Sequence, residues 1–187
     1  MTLADLTDSI RENWQVWLVT VTLIVAAVID GLKLKVPNWI TFPMILSGWV
    51  YSGIALGWEG LAWSVVGTIV GLALLMPAYA IGGMGAGDVK LLAGVGAWVG
   101  STTTFYAFCV SAVIGGVIAL AMVLYRRAWE HHRDQFWMIV NEVSTIRDAD
   151  QLSAIAAERK SSMLLLPYGI PIAIGTISYF AWSGMLI

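Results

Sequence analysis

Charge is scarce in this sequence. Charged residues fill only 12% of its 187 positions against 59% hydrophobic, and the mean hydropathy is +0.80. A water-soluble domain of this size covers its surface with more charge than that, so the composition excludes a large aqueous domain and points to an integral membrane protein. Basic residues are not in excess: ten Lys and Arg stand against twelve Asp and Glu, a formal net charge of -2. Nucleic acid is therefore not an expected partner, because binding it takes clustered cations that neutralise phosphates. Cysteine occurs once, at Cys109 within an apolar stretch, which excludes an internal disulfide framework and a cysteine-based zinc site and suggests a small buried hydrophobe. The histidines are the neighbours His131 and His132, which project about 100° apart on a helix and are poorly spaced for one metal. Neither a metal nor a cofactor is expected. Ten Trp, eight Met and only five Pro also exclude a disordered or low-complexity chain.

What is present is a series of apolar runs. A membrane-spanning helix needs about 20 apolar residues, and four segments supply them: Trp14 to Ile29, Trp39 to Leu56, Leu61 to Ile81 and Met163 to Ile187. A fifth run, Val89 to Leu124, would extend about 54 Å as one helix, too far for a single crossing. The small, hydroxylated stretch Gly100-Ser101-Thr102-Thr103-Thr104 suits a turn that divides it. The expected fold class is thus all-α, a polytopic bundle of six membrane helices forming a single domain over residues 1–187. With six crossings, Lys33, Lys35, Lys90, Arg126, Arg127, Arg133, Arg147, Arg159 and Lys160 share one side, which the positive-inside rule makes cytoplasmic, and only Arg11 lies opposite. With five crossings the basic segment Arg126 to Lys160 would change sides. The first 13 residues lack a basic signal-peptide region, so both termini are expected outside. Residues 126–162 form the one long connection, with an amphipathic face (Trp129, Phe136, Ile139, Val140, Val143, Ile146) suited to the membrane interface and a second short helix over 148–160. That face either rests on lipid headgroups or docks substrate.

Two acids stand apart from the rest. Asp30 ends the apolar run Leu23 to Ile29, and Asp88 follows the glycine-rich Gly82-Gly83-Met84-Gly85-Ala86-Gly87 and opens Val89 to Val99. Both belong to the cytoplasmic end, and the shortness of Val89 to Val99 recesses Asp88 below the headgroups. An acid at such depth costs about 2.5–3.5 kcal/mol on insertion scales, which favours a functional reason for it. Two carboxyls in one poorly solvated site hold a single proton between them, the arrangement that aspartyl proteolysis uses. Structural roles compete: Asp30 could pair with Lys33, and Asp88 could N-cap its helix. The glycines of Gly85-Ala86-Gly87-Asp88 open the backbone beside the acid to an extended peptide.

These residues resemble the type IV prepilin leader peptidases, membrane aspartyl proteases with a G-x-G-D motif. Three segments carry the likeness: Asp30-Gly31-Leu32-Lys33-Leu34-Lys35-Val36-Pro37-Asn38-Trp39-Ile40-Thr41, Gly85-Ala86-Gly87-Asp88-Val89-Lys90-Leu91, and Pro167-Tyr168-Gly169-Ile170-Pro171. The resemblance implies that Asp30 and Asp88 are the catalytic pair, cutting N-terminal leaders from prepilins or pilin-like proteins at the cytoplasmic face of the inner membrane, as in type IV pilus assembly and protein secretion. It further implies that Gly85, Gly87, Lys90, Pro37, Asn38, Pro167, Gly169 and Pro171 support the site. Only eight residues separate Asp30 from Trp39, so the N-methyltransferase activity of the larger bifunctional members is not expected. The small size resembles the Flp/Tad-type peptidases or the archaeal preflagellin-type enzymes, with the bacterial Flp type as the expected subgroup.

Each supporting residue has its own local reading. Helix ends favour the anion at Asp88 and the proton at Asp30. Lys90, two residues on, points away from Asp88 and anchors charge at the interface or tunes the site. Pro37 stops or redirects the helix after Asp30 and lets Asn38 start the next, while Pro167 and Pro171 kink the last helix or allow close contact. The competing class is an ion-coupled transporter or channel using the buried acids. It lacks a matching acid toward the outer ends other than Glu59 and lacks repeated halves with broken helices. A presenilin-like protease would share the glycine-acid logic but not the Asp30 to Pro37-Asn38 arrangement. Prepilin and membrane lipid are the expected partners, and the oligomeric state is not specified by the sequence.

Overall fold

The structure, a computed structural model, describes residues 13–80, 82–125 and 167–186. Among these residues it is all helical: α1 (Trp14–Lys33), α2 (Asn38–Ala80), α3 (Ala86–Tyr125) and α4 (Gly169–Trp182). The first three are long and apolar enough to cross a membrane, and α4 is a shorter apolar helix. The amphipathic segment expected within 126–162, the short helix over 148–160 and both histidines lie outside the described residues.

In α1 the buried positions are Val16, Val19, Thr20, Leu23, Ala26 and Asp30, a three-to-four spacing that forms one inward stripe. The opposite face is just as apolar, with Val21, Ile24, Val25 and Val28 exposed. A helix that is apolar all round is one surrounded by protein on one side and hydrocarbon on the other. Asp30 therefore points inward because it continues the stripe.

As a straight rod, the 43-residue α2 would reach about 65 Å, roughly twice the hydrocarbon thickness. It turns back at Gly57, whose φ of 66° and ψ of -151° only glycine adopts readily. Trp49 Nε1 donates to Thr68 Oγ1 at 2.9 Å, a pair that a straight helix would hold about 28 Å apart. The reversal in α3 falls on Gly100 (φ 75°, ψ 177°). The expected turn over Gly100 to Thr104 is thus narrower than its sequence suggests: Ser101 to Thr104 are helical, and the Thr104 hydroxyl donates back to the Gly100 carbonyl at 2.6 Å. A hydroxyl that bonds one turn back is compatible with helix, and glycine alone takes the non-helical angles. Cys109, expected to be buried, is exposed on the outer surface of α3. In an apolar solvent the outside of a bundle needs no polarity, so apolar neighbours do not imply a core position.

Packing relies on missing side chains. A Cβ on Gly67 would overlap the backbone of Gly96, one on Gly71 would fall within 2.8 Å of Ala93 Cα, and one on Gly48 would meet Ala97 Cβ at 2.8 Å. Lipid tails are as apolar as leucine, so helices in a bilayer gain little from hiding hydrophobic area and associate through close backbone contact and interhelical hydrogen bonds. Ser64 Oγ donates to the Ala97 carbonyl at 2.5 Å and Trp98 Nε1 to the Met44 carbonyl at 2.9 Å.

Two ends of the bundle follow from this register. At one, Trp14 meets Tyr51 and Trp98 edge-on, with ring centroids 5.0 and 5.8 Å away, near both helix reversals. At the other, Val36 packs on Gly87, and α1 ends beside the starts of α2, α3 and α4.

Candidate active site

Both singled-out acids lie at this second end, in the last turn of α1 and the first turn of α3. Asp30 is 2% exposed and Asp88 5%. α1 stops just past Asp30 because Leu34 adopts a left-handed conformation (φ 51°) and donates its N–H to the Asp30 carbonyl at 2.7 Å. The helix thus ends before the Pro37 that was expected to stop or redirect it. Pro37 instead serves the next element: its carbonyl accepts from Ile40 N–H at 3.1 Å, and α2 begins at Asn38.

Asp88 is not the N-cap that its position before Val89 suggested. α3 begins at Ala86, so Asp88 is its third residue, and its Oδ2 accepts from the backbone N–H of Gly85 at 3.1 Å. The Asp88 N–H donates in turn to the Gly85 carbonyl at 3.2 Å. This return bond from the third helical residue is half of a capping box, and it fixes the carboxylate over the first turn of α3.

Asp30 is held from far along the chain. The backbone N–H of Gly169 donates to Asp30 Oδ2 at 2.8 Å across 139 positions. A Cβ on Gly169 would lie 2.8 Å from that oxygen and 3.0 Å from Asp30 Cβ, so the carboxyl approaches only because no side chain is there. Its neighbour Tyr168 is within electrostatic range of Asp88. Of two consecutive residues at the start of α4, one thus bonds Asp30 and the other stands within electrostatic range of Asp88, and the three sequence segments lie at the same end of the bundle. The C-terminal end of α1 disfavours an anion at Asp30, but the N-terminal end of α4 opposes it. The expected division, with the proton on Asp30 and the charge on Asp88, weighed only the first of these helix ends.

The supporting residues divide by task. Gly87 admits the connection between α1 and α2: a Cβ would fall 2.6 Å from the Val36 carbonyl oxygen. Gly85 supplies the amide on Asp88. Lys90 Nζ donates to Asn38 Oδ1 at 3.1 Å and lies 4.7 Å over the Phe42 ring, so it ties the start of α2 to α3. Asn38 begins its helix as expected, but its side chain serves Lys90. Pro167 and Pro171 do not kink the last helix. Pro167 precedes α4, and its carbonyl accepts from Ile170 N–H at 3.1 Å. Pro171 sits in the first turn, where a missing N–H breaks no helical bond. Val36 and Tyr168 stand within the segments that carry the resemblance, but sequence reasoning gave them no role of their own. Their roles depend on contacts between segments, and a local pattern carries no signal for those.

Residues 17–120 match the type IV leader peptidase family. A protein of Aeromonas salmonicida named prepilin leader peptidase/N-methyltransferase is 29% identical over 125 residues, which is 63% of this chain and 42% of that protein. A protein of the same name from Neisseria gonorrhoeae is 34% identical over 112 residues, 56% of this chain and 39% of its own length. The chain thus spans about two-fifths of the length of these curated relatives. No solved structure matches it significantly. The family match covers more than half of the chain, including Asp30, Gly85, Gly87 and Asp88. By that match the chain belongs to the type IV leader peptidase family.

Proposed function

We propose that the protein is a membrane aspartyl endopeptidase that removes the N-terminal leader from type IV prepilins or pilin-like proteins, in a Flp/Tad-type system, at the cytoplasmic face of the inner membrane. The observation that carries this reading is that Asp30 and Asp88, both buried, lie at one end of the bundle of a member of this family, Asp30 bonded to Gly169 and Asp88 within electrostatic range of the adjacent Tyr168. Lys33, Lys35 and Lys90 belong to the same end of the bundle and support a cytoplasmic site. Six crossings with outward termini fit the reversals at Gly57 and Gly100. The four residues 34–37 between α1 and α2 leave no room for a domain inserted there.

In this mechanism one carboxyl is ionised and the other protonated. The carboxylate takes a proton from water as its oxygen bonds to the scissile carbonyl carbon, and the carboxylic acid donates a hydrogen bond, then its proton, to the carbonyl oxygen. Collapse of the tetrahedral intermediate breaks the C–N bond, and the departing nitrogen takes up a proton. The bilayer holds the substrate's apolar helix, so the cut is positioned with little loss of freedom at the moment of reaction. Because the pair works with one proton, the cleavage rate falls both where it binds two and where it binds none.

Co-expression with candidate prepilins, followed by sequencing of the product N-termini, tests the activity and the bond together. Asp30→Asn and Asp88→Asn are each expected to insert normally and leave the precursor uncut. Cleavage by either pure variant would overturn the assignment. The ion-transport reading gains no support from the fold, since both acids sit at one end of the bundle.

A further inference from the structure

A cavity of about 270 Å³ lies between α2, α3 and α4. Its wall includes Leu92, Met84, Tyr168 and Pro171, which tie it to the acid end of the bundle. Leu92 is one helical turn beyond Asp88, on the same face of α3 and about 6 Å deeper along the helix. Met84 belongs to the glycine-rich connection that leads into Asp88, and Tyr168 is the residue within electrostatic range of that acid. The cavity therefore continues the site away from the end of the bundle, toward its interior.

Its chemistry is apolar. Phe108 closes one side, and the hydroxyl of Ser111 is spent on the Ala107 carbonyl at 2.7 Å and the Ile172 carbonyl at 3.4 Å. A water needs two to four polar partners, which this lining does not offer, whereas a dry cavity of about 150 Å³ is enough to admit benzene. The space thus suits one large aliphatic or aromatic side chain and falls just below the roughly 300 Å³ at which drug-sized ligand pockets begin. Gly116 lies exposed on its wall, and a Cβ there would meet nothing within 4 Å, so a large side chain at this position has room to fold over the cavity.

We propose that this cavity is a specificity pocket for a bulky apolar side chain in the first turn of the substrate, on the membrane side of the cut. The inference rests on the leader-peptidase reading. A substrate whose leader lies beyond the acid end and whose apolar segment enters the bilayer passes its residues after the cut along this wall. Filling the pocket removes binding that positions the scissile bond, so it acts on chosen substrates and leaves the acids untouched.

The test measures kcat/KM for leader removal with wild type and Gly116→Phe. The substrates are one intact prepilin and the same prepilin with the bulky apolar residues of its first turn after the cut replaced by alanine. Wild type is expected to prefer the intact substrate by about tenfold or more, the scale on which apolar fit discriminates. In Gly116→Phe that preference disappears through loss on the intact substrate alone. The proposal is overturned if Gly116→Phe retains the preference, or if it loses both substrates equally at an unchanged melting temperature, the result expected of a cavity that holds a lipid chain. If Gly116→Phe melts early, Gly116→Val and Ala119→Leu decide between the same outcomes. Wild type cutting both substrates equally overturns the pocket alone, and wild type cutting neither overturns the peptidase reading with it.

Discussion

At the scale of single residues, the site depends on what Gly169 lacks. Its amide holds Asp30 at 2.8 Å, and the space of its absent side chain is taken by the Asp30 carboxyl. Gly169→Ala is expected to displace that carboxyl while the helices stay packed. A displacement of about 1 Å at a reacting group costs about a hundredfold in rate. Leader cleavage should therefore fall by roughly 10- to 100-fold with little change in thermal melting, and a variant of wild-type activity would show that this bond does not set the position of Asp30. That Asp30 and Asp88 lie at one end of the bundle was legible in the sequence, because each stands at the edge of an apolar run. The partner of each was not. Lys90 is two residues from Asp88, but its bond goes to Asn38, 52 positions away.

At the scale of elements, the reversals of α2 and α3 each rest on one glycine, with different surroundings. Nothing lies within 4 Å of a Cβ on Gly57, so Gly57→Ala costs only its positive φ, about 1–3 kcal/mol. A Cβ on Gly100 would also overlap the Trp63 ring, so Gly100→Ala should exceed about 3 kcal/mol. Unfolding of the two variants in detergent checks the order, and equal losses would show that Trp63 moves aside freely. Run lengths made both reversals legible, since Trp39 to Leu56 and Leu61 to Ile81 each fit one crossing and Val89 to Leu124 is too long for one. Their sharpness was not legible: hydroxylated residues that look like a turn continue the helix at Ser101 to Thr104. Of the two readings of the last segment's prolines, a kink or a close contact, the second holds for Pro171, whose Cβ lies 3.4 Å from where a Cβ on Gly115 would stand. Proline reads as a kink wherever it falls inside an apolar run, and only the observed start at Gly169 shows that Pro171 costs no hydrogen bond.

For the whole molecule, the aromatic cluster of Trp14, Tyr51 and Trp98 and the acid end lie at opposite poles. With the acid end cytoplasmic, a membrane-impermeant thiol reagent applied to intact cells should label Trp58→Cys but not Lys35→Cys, each in a Cys109→Ser background. The reverse pattern would put the site on the other side of the membrane. The basic residues supply an expected orientation, which this labelling tests, whereas the close glycine contacts that bring the helices together were not legible, because a glycine in an apolar run looks the same whether it faces lipid or a neighbouring backbone.

The bond between Asp30 and Gly169 also sets a timetable. The ribosome adds about 5–20 residues per second, so the amide that receives the Asp30 carboxyl emerges roughly 7 to 30 s after the acid itself. Throughout that interval the first helix carries a carboxyl whose companion has not been made. Whatever shelters it, whether the insertion machinery or a borrowed proton, must release it when α4 arrives, so Asp30 gains its native partner only after the other described helices have been made.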